Sequence, residues 1–246
     1  MTVPAGVGDG AGRDGDPTTG RLLVDPTALP GWLRPLAQRV DGAGLPPLPR
    51  AMAQRAPADA RRGAVLMLLG EGPAGPDLLL TVRADTLRAH PGQPAFPGGG
   101  ADPGEDAVAT ALREGAEETG LHPEGVTPVA LFPEVYVVPS RYRVRPVLAY
   151  WHTPGEVGPV DPAETAQVAR VPIADLADPD RRGQVALRDG FVSPAFDVAG
   201  TIVWGFTGAL VDLLVRAGGW ERPWDPDRRL HPPGLVHPPG PVSTAG

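Results

Sequence analysis

The chain has 246 residues and no cysteine, which allows one domain with tails and excludes disulfides, thiolate nucleophiles and cysteine-based metal sites. Its formal net charge is −7, which argues against a broadly basic nucleic-acid binder. All 22 basic residues are arginine, a side chain suited to bidentate phosphate contacts.

Residues 1–20 are mostly Gly, Asp, Thr and Pro and read as a disordered tail. They hold no basic segment followed by an apolar core, so no signal peptide is expected. The folded domain is expected to span residues 21–225. Trp32–Val40 suggests a short amphipathic helix limited by Pro35, and Leu45–Ala60 a Pro-rich irregular arm. Arg62–Leu69 and Asp77–Arg83 are apolar runs flanking the turn-rich GEGPAGP, which predicts a hairpin. These runs are far too short to span a bilayer, so a cytoplasmic protein without a membrane partner is the default.

Ala84–Gly98 reads as a long polar loop. Val126–Val138, Val144–His152 and Thr165–Val171 are further strand candidates, with a short helix or turn at Pro172–Leu176. Ile202–Ala217 has the spacing of a buried helix, stopped by Gly218-Gly219. Residues 226–246 form a Pro-rich tail. Strands bracketing a central helix, then a late helix, predict an α/β sandwich with helices on both faces of a mixed sheet.

The central helix carries the chemistry. Gly99–Leu121 reads GGADPGEDAVATALREGAEETGL. Asp102 is a suitable N-cap, Pro103 suits the first helical position, and Glu105 three residues after the cap makes a capping box. Gly120 is the stop. Val108, Leu112, Gly115 and Thr119 fall on one side, flanked by Ala111 and Ala116. Glu114, Glu117 and Glu118, at i, i+3 and i+4, share the other. Each like-charged pair costs a helix roughly 0.2–0.5 kcal/mol, so the cluster is unfavourable unless a cation sits there. Mg²⁺ and Mn²⁺ take oxygen ligands of this kind. A solvated acidic face is the plain alternative.

Taken together, Gly99, Glu105, Arg113-Glu114, Glu117-Glu118 and Gly120-Leu121 resemble the Nudix box at every specified position but one. The departure is Gly115, where the box has an apolar residue. The preceding segment narrows the resemblance. Leu79-Leu80-Thr81, Arg83, Ala84, Arg88, Gly92 and Phe96-Pro97-Gly98-Gly99 are similar to the signature upstream of the box in Nudix coenzyme A pyrophosphatases. Pro139–Tyr150, Trp204–Leu214 and Gly219–Asp225 extend the similarity less specifically.

The resemblance implies a Nudix α/β/α sandwich and metal-dependent hydrolysis of the diphosphate linkage of coenzyme A, or of an acyl or oxidised derivative. The products would be 4′-phosphopantetheine and adenosine 3′,5′-bisphosphate. Glu114, Glu117 and Glu118 would ligate Mg²⁺ or Mn²⁺, and Arg113 and Glu105 would hold carboxylates in position. The general base would be a helix carboxylate such as Glu117, or Glu164 on a later loop. Arg83, Arg88, His90, Gln93, Phe96, Gly98 and Gly99 would form the substrate site. Arg141, Arg143 and Arg145 stand outside that set, because alternating arginine on an exposed strand explains them equally well. The alternatives are a Nudix hydrolase of ADP-ribose, NADH or another nucleoside diphosphate derivative, and a non-catalytic metabolite sensor. Oligomeric state is left open, a homodimer included.

Overall fold

A computed structural model describes residues 18–40, 44–49, 52, 55–86, 92–138, 140–187, 192–233 and 235. In chain order the elements are β1 (Arg21–Leu22), α1 (Arg34–Gln38), β2 (Arg61–Gly72), β3 (Gly75–Arg83), β4 (Pro94–Ala95), β5 (Gly98–Gly100), α2 (Ala107–Thr119), β6 (Val126–Leu131), β7 (Val135–Val137), β8 (Tyr142–Trp151), β9 (Thr165–Pro172), α3 (Ile173–Leu176), β10 (Arg182–Ala186), β11 (Val192–Val198), β12 (Thr201–Val203) and α4 (Gly205–Ala217).

Among the described residues the main sheet runs β1-β6-β8-β2-β3-β4. In addition β5 pairs with β2, β7 with β8 and β9 with β3. β2 and β8 are parallel from Arg61–Tyr142 to Gly70–Trp151, and β2 meets β3 in the expected antiparallel hairpin. The sheet is therefore mixed. Alternation along β2 sends Leu66 and Leu68 to one face, with Leu79, Val147 and Ala149, under α2. Met67 and Leu69 go to the other face, with Leu78, Leu80 and Leu148, where Leu36 of α1, Leu176 of α3 and Leu210 and Leu214 of α4 cover them. Burial on both faces is why these strands read as unbroken apolar runs.

The structure departs from the sequence expectations in several places. The candidate strand at Val126–Val138 is interrupted between β6 and β7 at residues 132–134, where Pro133 has no N–H to give a ladder. The late helix begins at Gly205 rather than Ile202, because Ile202 and Val203 pair with Asp197 and Phe196 in β11. The separate antiparallel sheet β10-β11-β12 was not anticipated at all. Residues 228–230, which the sequence places in the tail, run beside β10: Gln184 N–H donates to the Arg228 carbonyl and Leu230 N–H to the Gln184 carbonyl, each at 2.9 Å. Residues 1–17 and 236–246 lie outside the described set.

Helix α2 approaches β2 with small residues. Ala107, Thr110, Ala111, Gly115 and Thr119 are buried, while Val108 and Leu112 are half-buried at its flank. A methyl group on Gly115 would lie 2.8 Å from Leu66 Cδ2 and 3.4 Å from Leu121 Cδ2. Glycine gives up about 1 kcal/mol of helix propensity relative to alanine, and here it permits close approach of the helix to Leu66 of the sheet. Gly115→Leu is therefore expected to lower stability by about 1–3 kcal/mol through overpacking, measured as a fall in denaturant midpoint. Leu66→Ala in the same chain should recover part of that loss, and additive losses in the double variant would contradict the contact.

Candidate active site

The start of α2 is set by a turn. Glu105 N–H donates to the Asp102 carbonyl at 3.0 Å, but Gly104 then takes φ +88°, so no helix grows from Pro103. The cap is Asp106, whose Oδ1 accepts from the Ala109 N–H at 2.9 Å. This corrects the expected cap at Asp102. Glu105 does accept the Asp102 N–H at 3.0 Å, yet its carboxylate is committed elsewhere. At the other end Gly120 closes the helix at φ +70°.

Arg113 is the centre of the network. Its Nε donates to Glu105 Oε1 at 2.9 Å, and its Nη2 to Glu105 Oε2 at 3.1 Å and to the Gly100 carbonyl at 2.9 Å. Its Nη1 donates to Glu114 Oε1 and to Glu117 Oε2, both at 2.9 Å. The fork holds the Glu105 carboxyl down at about 2 and pushes the Arg113 guanidinium upward. One side chain thus ties the turn, the helix and strand β5 together.

Glu118 and Glu114 lie deeper. Burial is the main cause that pushes the Glu118 carboxyl up to about 7, with the charge of Glu114 next and that of Glu164 in the same direction. Arg83 and a hydrogen bond from the Gly98 N–H pull it back. Burial likewise raises Glu114, against its bond from Arg113. The glycines of β5 make room: a methyl group on Gly99 would collide with the Glu114 carboxylate, and one on Gly98 with the Ala64 carbonyl.

Strands β3 and β9 bring Arg83 and Glu164 to the same place. Arg83 pairs with Thr165 beside a register shift in the ladder, and Ala84 N–H donates to the Glu164 carbonyl at 2.9 Å. The preceding loop lies along the C-terminal end of α2, with Gly158 N–H donating to the Thr119 carbonyl at 3.0 Å. The site thus unites Arg83, Gly98, Gly99, Glu114, Glu118 and Glu164, which are spread over more than 80 residues of sequence.

Other expected residues fall elsewhere. Phe96 is 3% exposed in the core on the α4 side, so its ring is a packing element and not a substrate contact. Gln93 meets Arg83 through its backbone, its carbonyl accepting the Arg83 N–H at 3.1 Å. Arg88 and His90 lie outside the described residues. The Glu117 side chain is 60% exposed and turned to Arg113. Arg145 is buried, with Nη2 donating to the Thr19 carbonyl at 3.2 Å, and Arg143 Nε sits 3.3 Å from Glu134. These arginines do not form one open phosphate-binding row.

The donor set suits a hard divalent cation: two half-buried carboxylates, further carboxylates at the rim, and backbone oxygens along a glycine strand. Among the described residues no three acidic or histidine side chains yet converge on one point. The Glu117 carboxylate is held by Arg113 Nη1 at 2.9 Å. No helix among the described residues is long and apolar enough to cross a membrane.

Residues 60–189, more than half of the chain, match the NUDIX domain model. The chain belongs to the Nudix family. Nudix hydrolases generally use divalent metal ions such as Mg²⁺ or Mn²⁺. Among curated relatives, the uncharacterized Nudix hydrolase NudL of Cronobacter sakazakii is 42% identical over 100 residues, covering 40% of this chain and 51% of the relative. NudL of Escherichia coli K12 is 44% identical over 89 residues, covering 36% and 45%. The chain spans about half the length of the curated relatives it matches. Among solved structures, the Nudix hydrolase RenU of M. smegmatis is 26% identical, covering 48% of this chain and 74% of that one, with a TM-score of 0.40. A Nudix hydrolase from Alicyclobacillus acidocaldarius is 21% identical, covering 66% and 94%, with a TM-score of 0.43.

A carboxyl whose pKa rises on folding contributes stability below its unfolded value near 4.5 and loses it as pH climbs through the folded value near 7. The metal-free protein should therefore weaken between pH 4.5 and pH 8 at Glu118. Glu118→Gln is expected to raise metal-free stability at pH 8 by on the order of 2 kcal/mol and to leave it unchanged at pH 4, as read by urea unfolding. A destabilised variant at pH 8 would show that Glu118 is satisfied without a cation.

Proposed function

We propose that this protein hydrolyses the diphosphate linkage of coenzyme A or of an acyl or oxidised derivative, with Mg²⁺ or Mn²⁺ held by Glu114, Glu118 and Glu117. The observation that carries this reading is the meeting of two sequence motifs at one place. Arg83, from the segment that resembles the coenzyme A signature, stands close enough to Glu118 of the Nudix box to oppose the rise in its pKa. A diphosphate laid across the carboxylates would find that guanidinium at its flank.

The chemical obstacle is repulsion between an anionic diphosphate, its nucleophile and the charge that grows on the leaving phosphate. A bound divalent ion supplies charge neutralisation and a more acidic water at such a site. The residues of the chain do the rest. Arg83 takes a phosphate oxygen through charge-assisted bonds. Arg113, saturated by Glu105, Glu114, Glu117 and the Gly100 carbonyl, fixes where the helix carboxylates stand. Glu164 accepts the proton of the attacking water as its oxygen bonds to phosphorus, and the phosphoanhydride oxygen leaves on the other phosphate. Glu164 suits this role because it is an exposed loop carboxylate held beside Glu118 by the β3–β9 ladder.

Incubating the purified protein with coenzyme A, acetyl-CoA, ADP-ribose and NADH, with Mg²⁺ or Mn²⁺, tests the reaction by product mass. Release of 4′-phosphopantetheine or its acyl form is expected, with a loss of about 10²–10³-fold in kcat for Glu118→Gln, the scale of removing one main electrostatic group. Turnover of ADP-ribose alone would discard the coenzyme A assignment. Tight binding without any turnover would favour a sensor.

Arg83 separates the substrates more finely. Arg83→Ala is expected to raise KM for coenzyme A by about 10–100-fold, corresponding to one charged hydrogen-bonding group. An equal effect on every diphosphate tested would reduce Arg83 to a general phosphate contact.

A further inference from the structure

Strand β5 has an unusual problem. It consists of three glycines, so it has no side chain with which to pack, and it is only three residues long. It nevertheless has to hold two groups of the site in place: the Gly98 N–H that bonds Glu118, and the Gly100 carbonyl that accepts from Arg113 at 2.9 Å. Its ladder to β2 joins Gly98 to Val65, Gly99 to Ala64 and Gly100 to Gly63. The last of these pairs is glycine on glycine, which leaves the end of the strand nearest Arg113 with the least support.

An aromatic ring from elsewhere occupies that place. A methyl group on Gly100 would lie 3.1 Å from the Tyr142 hydroxyl oxygen and 3.4 Å from its Cε1. One on Gly63 would lie 3.1 Å from its Cδ1. The ring therefore spans both glycines where side chains would have been. Its outer side is covered by the Arg61 guanidinium, 4.3 Å from the ring centroid, and Arg61 in turn donates to the Ser140 carbonyl at 3.4 Å. The parallel register of β2 and β8 pairs Arg61 with Tyr142 directly. An aromatic ring laid over a glycine of a neighbouring strand is a known way of stabilising such strands.

We propose that Tyr142 is a positioning residue for the carboxylate site: its ring supplies the packing that β5 lacks and so fixes the Gly100 carbonyl, Arg113 and, through Arg113, Glu114. The inference rests on the reading of Glu114 and Glu118 as ligands of a divalent cation. Among the described residues Tyr142 makes no hydrogen bond to these carboxylates, and its role is one of packing. The ring matters, and the hydroxyl group does not.

The test uses the full chain and no substrate. Mn²⁺ binding is measured directly from the loss of the free-ion EPR signal, and amide exchange of the peptide covering residues 98–100 is followed in metal-free protein. Tyr142→Phe is expected to bind Mn²⁺ within twofold of wild type. Tyr142→Ala is expected to bind at least tenfold more weakly, with exchange at residues 98–100 at least fivefold faster. Should the alanine variant fail to fold, Tyr142→Leu, which keeps apolar bulk without a flat ring, takes its place with the same expectation.

Leu210→Ala, in the buried face of α4, serves as a control for general destabilisation. It should lower the melting temperature with Mn²⁺ affinity unchanged. Wild-type Mn²⁺ affinity in Tyr142→Ala and Tyr142→Leu would overturn the positioning role and leave the metal site standing. A wild-type protein whose Mn²⁺ binding does not depend on Glu118 would instead overturn the metal reading, and this inference with it. Weakened binding in Tyr142→Phe would move the role from the ring to the hydroxyl.

Discussion

Keeping Glu114 and Glu118 half-buried beside one another is the constraint around which this structure is arranged. Removing a carboxylate from water is unfavourable, and a second one nearby makes it more so. Among the described residues the cation bonded to the cluster is Arg113. Arg113 reaches Glu114 but also gives both sides of its fork to Glu105, and it reaches Glu117 and a backbone carbonyl as well. It therefore organises the cluster without neutralising it. Among the described residues Glu118 has no arginine hydrogen-bonded to it, and the Gly98 N–H and the nearby charge of Arg83 oppose the effect of its burial. The imbalance suits a site whose remaining positive charge arrives with a metal ion and leaves with it.

Glycine is the second constraint, and it follows from the first. Carboxylates can be half-buried here only if the backbone comes close enough to bond them, and a side chain on Gly98 or Gly99 would prevent that. Gly115 does the same for the opposite side of the helix, letting α2 settle onto Leu66. A strand of glycines is weak by itself. Its support is borrowed from β2, from Arg113 and from the ring of Tyr142. Local stability is thus given up at β5 and returned by neighbours distant in sequence.

Much of this was legible in the sequence because it is local. The hairpin of β2 and β3, the body and stop of α2, the spacing of its acidic residues and the short α3 follow from periodicity and from glycine and proline signals within a few residues. What was not legible depends on pairing at a distance. Asp102 and Asp106 are both good caps, and only the conformation of Gly104 chooses between them. Ile202 and Val203 have helical spacing, but β11 claims them as a strand. Phe96 belongs to a substrate-like motif, yet its ring goes to the core. Arg145 alternates with Arg143 like a surface residue, although it is 2% exposed and bonded to the Thr19 carbonyl.

The site itself divides along the same line. The carboxylates on α2 were readable as a group because helical spacing alone places them together. Their partners Arg83 and Glu164 were named from motif resemblance and chain order, and helical spacing could not place them, because they arrive by way of the β3–β9 ladder. A one-residue slip in that ladder would send Arg83 to the opposite face of the sheet. The shift between Val82 and Arg83 leaves one residue of β9 unpaired at the point where the strand enters the site. Bulges of this kind re-aim side chains next to active sites. Here one lets Arg83 keep its place on the α2 face while the chain before Thr165 turns back to present Glu164. The placement of Arg83 beside Glu118 therefore depends as much on strand register as on the identity of the charged residues.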